Sequence, residues 1–293
     1  MQYPTISEYV KANQDVSDNL DMSTEATNAE LNEAIIDEFA EFGVKYSKDG
    51  RKLLKVPYEL NGTNSIKEGV RIICDNAFSG CRSLTGIVIP ESVISIGDGA
   101  FFFCRFLSGI IIPNSVASIG DSAFEGCSSL EYISLPKSVI CLNGNPFFNW
   151  NGKLDCLSPN FIYEDDVLFN KDKSKIISFR NQAVISYIIP DSVTSIGDRA
   201  FCCCSFLFGI VIPNSVTSIG DRTFCGCSFL SEVDIPDSVT SIGNGAFYDC
   251  SSLRSVVIPD SVTSIGERAF EDCNFPYKLN QELISRFGEK IFG

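Results

Sequence analysis

The chain has 293 residues, 44% of them hydrophobic and 20% charged, which suits a folded protein of one elongated or two compact domains. Its formal charge is −14, from 23 basic and 37 acidic residues. That balance opposes nucleic-acid binding, which needs a basic stripe against the phosphates, and the absence of histidine removes Ser-His-Asp, Cys-His and His-containing zinc arrangements.

The acidity is concentrated at the start, where ten acids and one base (Lys11) precede Val44. The opening stretch "MQYPTISEYVKANQDV" has neither a basic start nor the apolar run of roughly 7 to 15 residues of a secretory leader. A cytoplasmic location is therefore favoured, with the cell surface or secretion as the alternative. Residues 1–43 are expected to form an acidic N-terminal helical cap: Leu31, Ile35, Phe39 and Phe42 fall at helical spacing and Gly43 supplies a stop. Asp49-Gly50, flanked by apolar strands, predicts a β-hairpin. The "NGT" at Asn61 reads as an ordinary polar loop.

A repeat then takes over. Pro90, Pro113 and Pro136 are 23 residues apart, as are Pro190, Pro213, Pro236 and Pro259, and the same period links Cys81, Cys104 and Cys127, then Cys204, Cys227, Cys250 and Cys273. Each unit reads roughly C-x-x-L-x-x-I-x-I-P-x-S-V-x-S-I-G-x-x-A-F-x-x. In "LSEVDIPDSV" the residues Leu230, Val233 and Ile235 suit one short strand per unit, and Pro236 ends it for want of an N–H. Val239 and Ile242 are expected to point inward on the return leg. Gly243 and its counterparts Gly97, Gly120, Gly197, Gly220 and Gly266 are expected at a corner of positive φ. Ala246 and Phe247 close the unit, whose buried face demands a stacked neighbour about 4.8 Å away.

The apolar stretches "AFFFCRFLSGIIIP" and "FCCCSFLFGIVIP" are shorter than the about 20 residues of a bilayer span and keep the repeat's phase, so no membrane insertion is expected. A second periodicity lies above the first, since Gly43–Pro57 aligns with Asp166–Arg180 at an offset of 123. Residues 44–153 then hold the first hairpin and four rungs, and 154–273 the second hairpin and four more. The fourth rung is degraded, with Pro146, Phe147 and Trp150 at the positions of the Ala-Phe pair and the Cys. Residues 274–293 form a C-terminal helical cap with Leu279, Leu283 and Phe287 on one face. The expected fold is a β-rich solenoid of about eight 23-residue rungs with two inserted β-hairpins and helical caps at both ends, in one continuous stack.

"IPDSVTSIGDRAF" (Ile189 to Phe201) resembles the signature of the BspA-like, or treponemal-type, leucine-rich repeats of bacterial and protist proteins, and the resemblance runs from roughly Val44 to Cys273. It implies a curved right-handed leucine-rich-repeat solenoid. It also implies a role such as that of members described as surface adhesins for extracellular-matrix proteins or host cells.

Catalytic signals are weak. No GxGxxG or GxxxxGK[ST] phosphate loop occurs, no cofactor or metal is expected, and Asp165-Asp166 reads as a solvated turn. Seven of the thirteen cysteines share one repeat column and read as small buried hydrophobes. Cys202 and Cys203 lie outside that column and Cys202 is one period from Cys225, so Cys202, Cys203 and Cys225 are expected as exposed thiols on adjacent rungs, a disulfide or adventitious metal pair being the alternative. The strand position between the inward aliphatics reads Val88, Ile111, Ser134, Ile188, Val211, Asp234 and Val257, mostly apolar where solvent is expected. Beside it stand Phe106, Phe206 and Phe229, with Phe208 near. The function expected is a non-enzymatic, monomeric protein-interaction module that binds a protein partner through the concave strand face, at Phe206, Phe208, Phe229, Val211, Asp234, Val257, Val88 and Ile111. The alternative is a surface adhesin for host or matrix proteins.

Overall fold

A computed structural model describes residues 22–36 and 43–293. The chain divides into two compact units, Met1–Asn160 and Phe161–Gly293, each built on stacked turns of the repeat.

Each unit opens antiparallel and continues parallel. In the first, Ile35–Ile36 pairs with Lys45–Tyr46, which pairs with Lys52–Lys55 around the Asp49-Gly50 turn; Ile72–Ile73, Ser95–Ile96, Ser118–Ile119 and Cys141–Leu142 then follow in parallel. In the second, Phe161–Glu164, Val167–Asn170 and Lys175–Phe179 form a meander, and Ser195–Ile196, Ser218–Ile219, Ser241–Ile242 and Ser264–Ile265 extend it in parallel. Both sequence-predicted hairpins are present.

The expectation of one strand per rung needs correction, because the return leg pairs as well. Its Ser-Ile dipeptides are too short to show an alternating pattern in sequence, yet each finds an in-register partner one period away, as Ile96 does with Ile119 and Ile219 with Ile242. The strands before each proline form the other ladders: Gly62–Ser65, Leu84–Val88 and Gly109–Ile111; Tyr132–Leu135 with Lys153–Cys156; Ser186–Ile188 with Gly209–Val211; Glu232–Asp234 with Ser255–Val257. A third leg, irregular in conformation, is still bonded from turn to turn, Phe101 N–H donating to Ala123 at 2.9 Å and Phe224 N–H to Ala246 at 2.7 Å.

Between the legs the phenylalanines stack into columns. In the first unit Phe78, Phe101, Phe124 and Phe147 follow at centroid spacings of 5.0, 5.7 and 6.1 Å. In the second, Phe179, Phe201, Phe224, Phe247 and Phe270 follow at 4.7, 5.3, 5.2 and 5.3 Å. The alanine before most of these rings lets the next turn approach. Where Thr223 replaces it, the buried hydroxyl donates to the carbonyls of Gly197 and Gly220, so no lone polar group enters the core. The degraded rung keeps the column through Phe147, and Trp150 Nε1–H reaches the carbonyl of Leu130 at 2.6 Å.

The recurrent glycine has a different cause from the one expected. Positive φ falls two residues later, at Gly99, Ser122, Arg199, Arg222, Gly245 and Arg268, and none of the six glycines adopts it. What requires glycine is close approach: a Cβ on Gly243 would lie 2.4 Å from Asp221 Oδ1 and 2.5 Å from Asp221 N. The residue beside each glycine holds the stack in register. Asp75 Oδ1 accepts from Asp98 N–H and Asp98 Oδ1 from Asp121 N–H, each at 2.8 Å; Asp198, Asp221 and Asn244 continue the pattern in the second unit at 2.8, 2.7 and 2.9 Å.

Among the described residues the N-terminal cap holds one short helix. Helix α1 (Asn28–Asn32) is closed by a Thr27–Glu30 capping box, and Glu30 pairs with the buried Lys52 at 3.0 Å. Ile35 is not helical but lies in a strand opposite Tyr46, a pairing that suits its β-branched side chain; Phe39 and Phe42 lie outside the described residues. At the other end, helix α2 (Tyr277–Phe287) buries Leu283, packs Leu279 and Phe287 against the core, and sends Arg286 to the carbonyls of Ile258 and Pro259. Lys290 and Ile291 then accept from Arg268 and Phe270 N–H as a further rung would.

Candidate interaction site

The strand before each proline sets the site, because its middle side chain has no interior to enter. Ile87 and Ile89 are buried while Val88 between them is exposed, and Ile111, its register partner, is 80% exposed. In the second unit Ile188 stands opposite Val211 and Asp234 opposite Val257, all exposed. The apolar column of the sequence is thus a solvent-facing column within each ladder.

Phe206 and Phe229 lie on the turns just before these strands, 60% and 55% exposed, with ring centroids 6.1 Å apart and planes 18° from parallel. Phe229 N–H donates to the Ser205 carbonyl, which fixes the two turns side by side. Phe208 is exposed next to them, and its N–H donates to Ile185 at 2.7 Å. Ile185 is itself 67% exposed and belongs to the group. Sequence reasoning missed it, although it precedes Phe208 by one period. Phe106, in the first unit, is exposed with serine one period on, so no second ring meets it. Val88 and Ile111 line a shallow groove of about 490 Å³ with Thr63, Ser108 and Tyr132.

The cysteines fall into two populations. The repeat column is buried apart from the half-buried Cys273, and thiols along it donate to carbonyls of the preceding turn: Cys104 to Phe78, Cys127 to Phe101 and Cys250 to Phe224 at 3.1 Å, Cys227 to Phe201 at 3.2 Å. Burial pushes the Cys81 thiol up to about 11 and those of Cys127 and Cys204 up to about 12. Cys203 is exposed and Cys225 partly so, but the expectation that Cys202 is exposed is corrected, since only 8% of it reaches solvent. Its turn tucks the side chain between neighbouring rungs, where Cys202 Sγ lies 3.8 Å from Cys203 Sγ. Hydrogen bonds with Cys203 and Cys225, then burial, hold the Cys202 thiol protonated, while the bond from Cys202 and the charge of Arg222 draw Cys225 below the ordinary thiol value.

Asp165 and Asp166 sit in the exposed hairpin turn with φ of 48° and 60°, and Tyr163 O–H donates to Asp166. Among the described residues no group of three or more Cys, Asp or Glu is arranged to hold a metal ion, and no helix is long and apolar enough to cross a membrane.

A family model described as BspA type leucine rich repeat region matches in six copies, over residues 61–161 and 175–293. Among curated proteins there is no significant match. Solved structures share the fold. A leucine-rich repeat protein from Eubacterium ventriosum is 22% identical, with a TM-score of 0.59 over 79% of this chain and 73% of that one. The pneumococcal vaccine antigen PcpA is 23% identical, with a TM-score of 0.62 over 80% and 66%. A leucine rich cell surface protein from Faecalibacterium prausnitzii is 26% identical, with a TM-score of 0.52 over 78% and 63%.

Proposed function

The chain belongs to the family of BspA-type leucine-rich repeats, and from that premise we propose that it is a non-enzymatic module which binds a protein partner through the strand face of its second unit. The observation that carries this reading is the Phe206–Phe229 stack: two rings held parallel by the repeat and left more than half in solvent. Interface affinity concentrates in a few aromatic anchors, and a ring already fixed by its neighbour loses little entropy on being covered. Phe208, Val211 and Val257 widen the apolar area, and Asp234 supplies the charge that orients a partner.

A second reading, an adhesin for host or extracellular-matrix proteins, draws on the Faecalibacterium protein described as a leucine rich cell surface protein. The two part in a pull-down that sets native lysate against matrix extract. In either case a Phe206→Ser, Phe229→Ser double variant should lose most of the captured partner while its thermal midpoint stays within a degree or so of the parent, about what surface changes cost. Serine already occupies this column at Ser83 and Ser129, so the backbone accepts it. Undiminished capture by the double variant would move the binding site elsewhere.

A further inference from the structure

Cys202 and Cys225 stand apart from the cysteine column in place and in surroundings. They occupy one repeat position on consecutive turns, where the sister rungs carry Ser79, Phe102, Glu125, Tyr248 and Glu271. Phe201 N–H donates to Thr223 at 2.9 Å and Cys203 N–H to Cys225 at 2.7 Å, which sets residue 202 opposite residue 225 in the one-period register of the irregular third leg. Adjacent parallel chains run about 4.8 Å apart, inside the about 4.4 to 6.8 Å that a disulfide requires between Cα atoms.

Access differs between the two thiols. Cys225 opens on a cavity of about 430 Å³ lined by Arg222, Asn244, Tyr248 and Arg268, room for a small polar oxidant. Arg268 is held there by Glu271 and lies 5.2 Å from the Tyr248 ring, so the guanidinium that favours a Cys225 thiolate is that of Arg222. Cys202 is covered, and an attack from the next rung needs no exposure.

We propose that Cys225 and Cys202 form an oxidisable dithiol whose substrate is a small hydroperoxide and whose product is a disulfide between consecutive rungs. The Cys225 thiolate attacks the outer peroxide oxygen. An S–O bond forms, the O–O bond breaks, and the departing alkoxide takes a proton from water to leave as alcohol. Cys202 sulfur then attacks the sulfenic sulfur of Cys225. The S–S bond forms as the S–O bond breaks, and the hydroxide leaves with the Cys202 proton as water. Two thiols and one hydroperoxide give one disulfide, one alcohol and one water, so electrons balance without a further reactant. The buried column takes no part: burial holds Cys127 and Cys204 protonated, and Cys127 and Cys227 are tied to carbonyls.

The test is to treat the full chain with one equivalent of tert-butyl hydroperoxide and map its disulfides by mass spectrometry. The tryptic peptides Ala200–Arg222 and Thr223–Arg254 should be joined with the loss of two hydrogens, and fragmentation should place the bond at Cys202 and Cys225 rather than at Cys203, Cys204, Cys227 or Cys250. Cys225 should react at least about tenfold faster than Cys104 or Cys127. A Cys225→Ser variant should form no bond, and Cys202→Ser should accumulate a sulfenic acid trapped by dimedone on Cys225. Because the map is made on the unmodified chain, poor folding of either variant leaves the answer intact. A bond elsewhere, oxidation of the buried column at a comparable rate, or only intermolecular bonds through Cys203 would overturn the proposal.

Discussion

Two ladders of phenylalanine run through the second unit a few residues apart. Phe201, Phe224, Phe247 and Phe270 stack inside the coil at 5.2 to 5.3 Å and are fully covered; Phe206 and Phe229 stack outside it at 6.1 Å and stay more than half in water. One period produces both. A residue recurring every 23 positions must meet its copy in the next turn, but whether that meeting is core or surface depends on which side of the chain's path it falls. The two cysteine populations say the same: one column lies inside, while Cys225, two residues off it, opens on a cavity.

The contrast can be broken most directly from within. Phe224→Ala empties the centre of the inner ladder and should cost about 3 to 5 kcal/mol in denaturant unfolding; a loss matching that of the outer pair would erase the distinction. Gly243→Ala should cost about 1 to 3 kcal/mol, since the new methyl forces Asp221 and its turn aside. A protein in which glycine served only corner flexibility would tolerate it, because φ there is not positive.

Alkaline titration tests the inner cysteines. Their folded pKa lies above the roughly 8.5 of an unfolded thiol, so the folded state keeps protons that the unfolded chain releases. Their contribution to stability is complete below about pH 8.5 and falls as pH rises toward the folded value of about 12. Each such thiol steepens the decline by at most about 1.4 kcal/mol per pH unit, and Cys127→Ala should flatten it by up to that amount in denaturant unfolding between pH 9 and 10. The Phe206→Ser, Phe229→Ser double change should shift stability by less than about 1 kcal/mol, and Asp237→Ala, on an exposed turn, by nearly nothing. A large loss at either would place supposed surface in the core.

Much of this was legible because a repeat tests each position several times. Leu230, Val233, Ile235, Val239, Ile242, Ala246 and Phe247 are all buried as their spacing implies. Where reasoning went astray, the cause lay between rungs rather than along the chain. The partner of Ser-Ile is another Ser-Ile 23 residues away, and the steric demand on Gly243 comes from Asp221, so neither shows in a local window. Ile35 has no repeat behind it; helical spacing read alone lost to a strand partner, Tyr46, across a turn. Of the candidate site, exposure of Val88, Ile111, Val211 and Val257 followed from their place between inward aliphatics, whereas burial of Cys202 depends on how one turn nests against the next.

Each turn hands the next the same donors and acceptors that it receives: a carboxylate accepts the amide of the turn ahead, and a glycine leaves room for the carboxylate of the turn behind. Such a chain can be lengthened by copying but hardly by stretching. Twenty-three added residues bring their own Asp and their own Gly into place, whereas one added residue sets a side chain where only a hydrogen fits. Heredity then favours whole-turn duplication over small insertions. The near-verbatim wording of Ile189–Phe201, Ile235–Phe247 and Ile258–Phe270 is the record such editing leaves.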